Sequence, residues 1–224
     1  MPDISLANLN GIPGVNQAAM TQANLNDCGA YAIIAAVGAF GVFPVVANLA
    51  YADPGPQAVN VNGATTAEDT YPQLAATVYG VTGILNNAAA MPVVPELLAA
   101  GNVYSAPAAM AKVAMDLGRQ VLVRAQAAGF IALSALYPGE RARCVAVVGG
   151  ANVDTNAGAY APPGPLATHV VCVSTGGGLH WLGQGSNGEF YDPADGTLNN
   201  RLEPVNTNDR MGPYTFTGLW LEIR

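Results

Sequence analysis

The chain predicts an α+β fold, with a helical part over about residues 1–118 and an antiparallel sheet over about 119–224. Three observations carry that expectation. Before Gly118 the apolar residues run in long stretches opened by helix caps. After Gly118 the apolar runs become short, β-branched or aromatic, and Gly, Pro and Asn separate them. No repeat or low-complexity linker divides the 224 residues, so they read as a single domain of two unlike lobes with a cleft between them.

The helices follow from caps and breakers. Cys28 to Ala39 reads as a helix, and a second short one is expected from Pro44 to the turn Asp53-Pro-Gly-Pro. Thr65-Thr-Ala-Glu68 has the form of a capping box opening a helix toward Tyr79. Val94 to Ala100 is a further candidate. Ser105-Ala-Pro-Ala opens a helix with Ser105 as N-cap, and Gly118 ends it. The expected strands are Gln120–Arg124, Arg143–Val148, His169–Ser174, Leu179–Gln184, Gly188–Asp192 and Tyr214–Ile223, with a loop from Asp154 to Thr168.

Composition narrows the function. With 51% apolar and 10% charged residues the chain can build a sizeable core and is not disordered. A net charge of -7 and the absence of a basic cluster argue against a nucleic-acid partner. Lysine occurs once, at Lys112. A GC-rich bacterial codon bias explains that, and so does an effector or toxin that avoids lysine modification in a host cell. The run from Ala30 to Ala52 is uncharged and long enough for a bilayer, but Gly38, Gly41, Pro44 and Asn48 interrupt it. It reads as buried helix, so no membrane span is expected. Met-Pro-Asp-Ile-Ser carries no basic n-region, which places the protein in the producer's cytoplasm or has it exported without a Sec signal peptide.

Chemistry concentrates in two places. Gln22 stands six residues ahead of Cys28, which opens the first long helix. The positive end of a helix dipole favours thiolate, and an amide NH2 beside the sulfur can serve an oxyanion. Cys144 and Cys172 lie inside apolar, strand-like runs and read as inert buried thiols. The second place is Leu179-His180-Trp181, followed after the turn Gly185-Ser-Asn-Gly188 by Phe190-Tyr-Asp192-Pro. If Gly185-Ser186-Asn187 is a three-residue loop, His180 faces Asp192 directly, with Cβ atoms about 5 Å apart. A two-residue Asn187-Gly188 turn opposes His180 to Asp195 instead. His169 is the rival base. In a meander turning at Thr175-Gly-Gly-Gly178 it lies across from Gly183 or Gln184, and Gln184 is then its candidate orienter.

Other constellations are weaker. His169-x-x-Cys172 with Cys144 lacks a paired zinc motif. Asp192 with Asp195 has no accompanying sugar platform, and Gly176-Gly-Gly178 precedes a strand, not a helix. No metal or organic cofactor is expected.

Taken together, Gln22…Cys28-Gly-Ala-Tyr, His180-Trp and Phe190-Tyr-Asp192-Pro-Ala-Asp-Gly196 resemble the papain-like cysteine peptidase superfamily. The likeness is to its Cys-His-Asp branch, the double-glycine leader peptidases and YopT-type effector proteases. It implies a papain-like fold with a helical N-terminal lobe packed on an antiparallel sheet. It also implies Cys28 as nucleophile, His180 as general base and acid, Asp192 as its orienter and Gln22 in the oxyanion hole. The expected substrate is a protein or peptide, cleaved at a peptide or isopeptide bond through an acyl-enzyme. Two rivals remain: a thiol acyltransferase of the transglutaminase or phytochelatin-synthase kind, and a catalytically dead papain-like binding protein.

Overall fold

The computed structural model describes residues 1–41, 43, 46–52, 60–85, 96–97, 104–136, 139–175, 178–199 and 203–224. In chain order the elements are α1 (Gln17–Met20), α2 (Cys28–Gly38), β1 (Ala47–Ala52), β2 (Asn60–Thr65), α3 (Tyr71–Thr82), β3 (Ile84–Leu85), β4 (Glu96–Leu97) and α4 (Pro107–Asp116). They continue with β5 (Val121–Ala125), α5 (Ala127–Leu136), α6 (Glu140–Val148) and β6 (Val153–Asp154). The last group is β7 (Thr168–Ser174), β8 (Leu179–Gln184), β9 (Phe190–Asp192), β10 (Thr197–Asn199), β11 (Arg210–Met211) and β12 (Tyr214–Ile223). The class is mixed α+β.

The main sheet runs β10-β9-β8-β7-β12-β5-β6, with β11 paired to β12. Its pairings are antiparallel except β5–β6, which is parallel. Strand β7 lies between β8 and β12, and its side chains alternate between two apolar layers. Val170 and Cys172 join the layer that holds α2, Trp181 and Leu221. Val171 and Val173 join a second layer with Phe216, Trp220 and Leu182.

Helix α2 is the central pillar. Every one of its residues is buried, as expected of a helix apolar all round. It packs on β7 and β8 from one side and on α3 and α4 from the other. Thr168 Oγ1 donates to the Ala36 carbonyl at 3.0 Å, and Tyr71 Oη donates to the Tyr31 carbonyl at 2.7 Å. At 11 residues α2 is about 16 Å long, roughly half a bilayer core. Among the described residues no helix is long and apolar enough to cross a membrane.

Several sequence expectations need correction. Ala47–Ala52, expected as helix, is strand β1, paired residue by residue with β2 from Ala47↔Thr65 to Ala52↔Asn60. Six residues are too few for a helix to stand on its own propensity, and a partner strand decides the matter. Arg143–Val148, expected as a strand, belongs to α6. Glu140 in its first turn also accepts from the Ala108 N–H at 2.7 Å, so one carboxylate serves the starts of two helices. The capping box is Thr70 with Gln73, and it opens α3 at Tyr71. Thr66 closes a local turn with Asp69 instead. The cap of α4 is Ala106, while Ser105 bonds the Thr82 hydroxyl at 2.8 Å. Of the helix expected over Val94–Ala100, Glu96–Leu97 is strand β4, paired with β3, and the rest lies outside the described residues.

Candidate active site

Cys28 is the first residue of α2, behind the N-cap Asp27. Asp27 gives its helix no side-chain cap. Its Oδ2 turns back to accept from the backbone and side-chain N–H of Asn24, both at 3.1 Å. The first-turn N–H groups of α2 are therefore not taken by this carboxylate; Ala30 N–H donates to the Asp27 carbonyl at 3.0 Å. Burial pushes the Asp27 carboxyl up, against the hydrogen bonds from Asn24.

The turn ahead of α2 is tied to the far end of the chain. Gln22 N–H donates to the Pro193 carbonyl at 2.7 Å, and Gln17 Nε2 donates to the Asp195 carbonyl at 3.3 Å. The Tyr191 hydroxyl donates to the Met20 carbonyl. Gly196, at φ 69°, permits this approach, because a Cβ there would stand 2.3 Å from the Gln17 carbonyl oxygen. The Gln22 side chain gives one Nε2 proton to the Asn24 carbonyl at 2.8 Å, and its Oε1 is buried without a hydrogen bond.

His180, from β8, donates through Nε2 to Asp192 Oδ1 at 2.8 Å. The register that produces this contact is neither of the two expected. Gly183 pairs with Tyr191 and Gln184 with Phe190, leaving the five residues Gly185–Glu189 to turn. The ladder is thus two residues out of step with direct opposition of His180 and Asp192. A two-residue step preserves the face, so the side chains meet on the diagonal. Asp192 Oδ1 also accepts from Ala194 N–H at 3.0 Å, and Oδ2 accepts from the Tyr214 hydroxyl at 2.8 Å. Tyr214 stacks on the His180 ring, with centroids 5.2 Å apart and planes at 29°.

With Nε2 engaged by Asp192, the other ring nitrogen is left free of that carboxylate, and Cys28 is near enough to the ring to favour its protonated form. Burial alone would lower the basicity of the imidazole. The bonds and charges of Asp192 and Cys28 outweigh it and raise the His180 pKa to about 9. Burial likewise pushes Asp192 up, but the bond and charge of His180, then Tyr214 and Ala194, hold it below the usual carboxylate range.

Beside His180 opens a cleft of about 370 Å³, whose walls include Gln22, Asn26, Tyr104, Leu179, His180 and Tyr214. Cys28 itself is 0% exposed and is not among the residues that line this cleft.

His169 stands elsewhere. It pairs with Gln184 at the other end of β8, as the meander predicts. Tyr160 comes between them: its hydroxyl donates to Gln184 Oε1 and accepts from His169 Nδ1 at 3.0 Å. Burial brings the His169 pKa down to about 4, against the pull of Glu222. Asp195 accepts from Thr197 within its own turn. Cys144 and Cys172 are buried, and burial pushes Cys172 up to about 12 and Cys144 higher still. Among the described residues no group of three His, Cys, Asp or Glu side chains stands close enough to hold a metal ion.

Tyr214 escaped the sequence reading. Its trace was the Gly212-Pro213 pair ahead of an apolar strand, which makes the two-residue turn between β11 and β12 with Gly212 at φ 71°.

Residues 20–224 match the family model described as invasion plasmid antigen J, cysteine protease. No curated protein and no solved structure matches the chain.

Proposed function

The chain belongs to the invasion plasmid antigen J family of bacterial cysteine proteases, and from that premise we propose that Cys28, His180, Asp192 and Gln22 carry the hydrolysis. The observation that supports this assignment best is the His180 ring, held by Asp192 at 2.8 Å through Nε2 and raised in basicity by both Asp192 and Cys28.

The chemistry is acyl transfer to water. His180 takes the proton of the Cys28 thiol as general base. The thiolate attacks the carbonyl carbon of a peptide or isopeptide bond. The oxyanion so formed is met by the Cys28 backbone N–H and by the second Nε2 proton of Gln22. His180 then protonates the leaving amine, and the acyl-enzyme remains on the sulfur. Water, deprotonated by the now neutral imidazole, attacks the thioester and releases the acid. Asp192 keeps the ring in one tautomer and stabilises its charged form, as expected of a buried carboxylate partner. Because Cys28 is 0% exposed, neighbouring side chains must move for a bound substrate to reach its sulfur.

The order Gln22, Cys28, His180, Asp192, with α2 packed against β7 and β8, supports a papain-like Cys-His-Asp scheme. The single lysine and the family's description as an invasion antigen support an effector that acts on a protein substrate. Hydrolase and acyltransferase share every step up to the thioester, so a primary amine added to the reaction separates them by its transfer product.

The decisive experiment compares Cys28→Ala, His180→Ala and His169→Ala on a mixed peptide library. Loss of cleavage with the first two and retention with the third is expected. Retention with His180→Ala and loss with His169→Ala would refute the assignment of the base.

A further inference from the structure

Beyond the four residues above, one side chain touches both partners of the imidazole–carboxylate pair. Tyr214 lies face to face with His180 at 5.2 Å and 29°, and its hydroxyl occupies Asp192 Oδ2 at 2.8 Å. Asp192 Oδ1 already holds His180 Nε2 and Ala194 N–H. The carboxylate is therefore pinned at both oxygens from three directions: strand β8, its own turn and strand β12. The ring of Tyr214 also forms part of the cleft wall beside His180.

How the chain delivers this tyrosine is visible locally. It is the first residue of β12, directly after the Gly212-Pro213 turn. The ladder with β7 shifts between Phe216 and Leu219, where Thr217 and Gly218 bulge, with Gly218 at φ 83°. A Cβ at Gly218 would stand 2.2 Å from Thr207 Oγ1, so the bulge needs glycine there on two counts. Such bulges redirect the end of a strand, and this one advances the start of β12 along β7 by two residues.

We infer that Tyr214 is a positioning residue of the hydrolase. Its ring fixes the plane in which His180 can exchange a proton with Cys28, and its hydroxyl keeps Asp192 ionised and aimed at Nε2. The two contributions are separable by chemistry. Phenylalanine keeps the stacking ring and loses the donor; leucine loses both. A hydrogen bond to a buried carboxylate favours its ionised form, and its loss raises the pH at which the carboxyl takes up a proton by about one unit. Among the described residues, the titratable groups that act on Asp192 include His180 on β8, Tyr214 on β12 and Tyr191 on its own strand. Cys28 acts on it through His180, with Asp27 next in the chain. Of these, only Tyr214 is altered by the substitution.

The inference rests on the proposed roles of Cys28 and His180, and the test keeps the two apart. Cleavage of a mixed peptide library is followed from about pH 2 to 10 for the wild type, Tyr214→Phe, Tyr214→Leu, His180→Ala and Cys28→Ala. The 13Cγ resonance of Asp192 is titrated in the wild type and in Tyr214→Phe. Tyr214→Phe is expected to lower kcat about tenfold at pH 6 with KM little changed, to move the acid limb up by about one pH unit, and to move the Asp192 titration the same way. Tyr214→Leu is expected to lose more kcat and to raise KM, since it also removes a wall of the cleft. If Tyr214→Phe keeps the wild-type acid limb and the wild-type Asp192 titration, the positioning role is refuted, even where the melting temperature has fallen. If His180→Ala retains activity, the fault lies in the assignment of the base instead.

Discussion

His180 and Asp192 meet on a diagonal of the β8–β9 ladder, two residues out of step with direct opposition, and still bring Nε2 within 2.8 Å of Oδ1. The Asp192-Pro193 turn makes this possible, because Ala194 N–H and the Tyr214 hydroxyl hold the carboxylate in place as the strand ends. Asp192→Asn keeps the shape and removes the charge. The His180 pKa should fall from about 9 toward the ordinary histidine value, since an anion no longer favours the imidazolium. Peptide cleavage should fall about 100-fold or more. Proton NMR titration of His180 and initial rates check the two halves separately.

The same pair makes stability depend on pH. The folded-state pKa of His180 is raised to about 9, above its unfolded value near 6.5. Its stabilisation is therefore complete below about pH 6.5 and is lost as pH rises through about 9. The amount at stake is about 3 kcal/mol. Urea unfolding at pH 6 and pH 9.5 should show the wild type losing stability over that interval, and His180→Ala should lose much less. An equal slope in both proteins would contradict the coupling.

His169 should matter to folding and not to cleavage. Its ring is buried against Tyr160 and Trp220, and its Nδ1 proton goes to the Tyr160 hydroxyl. His169→Ala leaves that hydroxyl short of a donor and opens a cavity, at a cost of about 1–3 kcal/mol. Denaturant midpoints should fall accordingly, while kcat/KM at 25 °C stays within about threefold of the wild type.

Gly196→Ala should injure the site from outside it. The added Cβ meets both an unfavourable φ of 69° and the Gln17 carbonyl at 2.3 Å. Strain of this kind costs about 1–3 kcal/mol, and relieving it moves the turn that carries Asp192. Cleavage should drop more than the melting temperature alone predicts, and Gly196→Ser should behave alike.

The readable parts of this chain were those where local chemistry and tertiary demand agree. Cys28 opens α2 because a polar turn hands over to an unbroken apolar run, and that run is buried on all sides. Strands β7 and β8 show in their β-branched and aromatic residues, and His169 faces Gln184 as a turn at Thr175–Gly178 requires. The misread parts were short, with partners far away in sequence. Ala47–Ala52 is a strand because Asn60–Thr65 pairs with it. Arg143–Val148 is helical because Glu140 anchors α6 against α4, which no local pattern discloses. The diagonal contact of His180 was similarly hidden, since the register is set by a five-residue turn instead of the tight one that Gly185-Ser-Asn-Gly188 suggests. Tyr214 was out of reach for the same reason: its position depends on a bulge in β12.

The bonds from Gln22 to Pro193 and from Tyr191 to Met20 join segments about 170 residues apart. Closure over such a distance comes late, because nothing nearer in the chain rewards it first. Under the proposed roles, a nascent polypeptide still short of residue 180 carries the Cys28 sulfur before the imidazole meant to take its proton has been added.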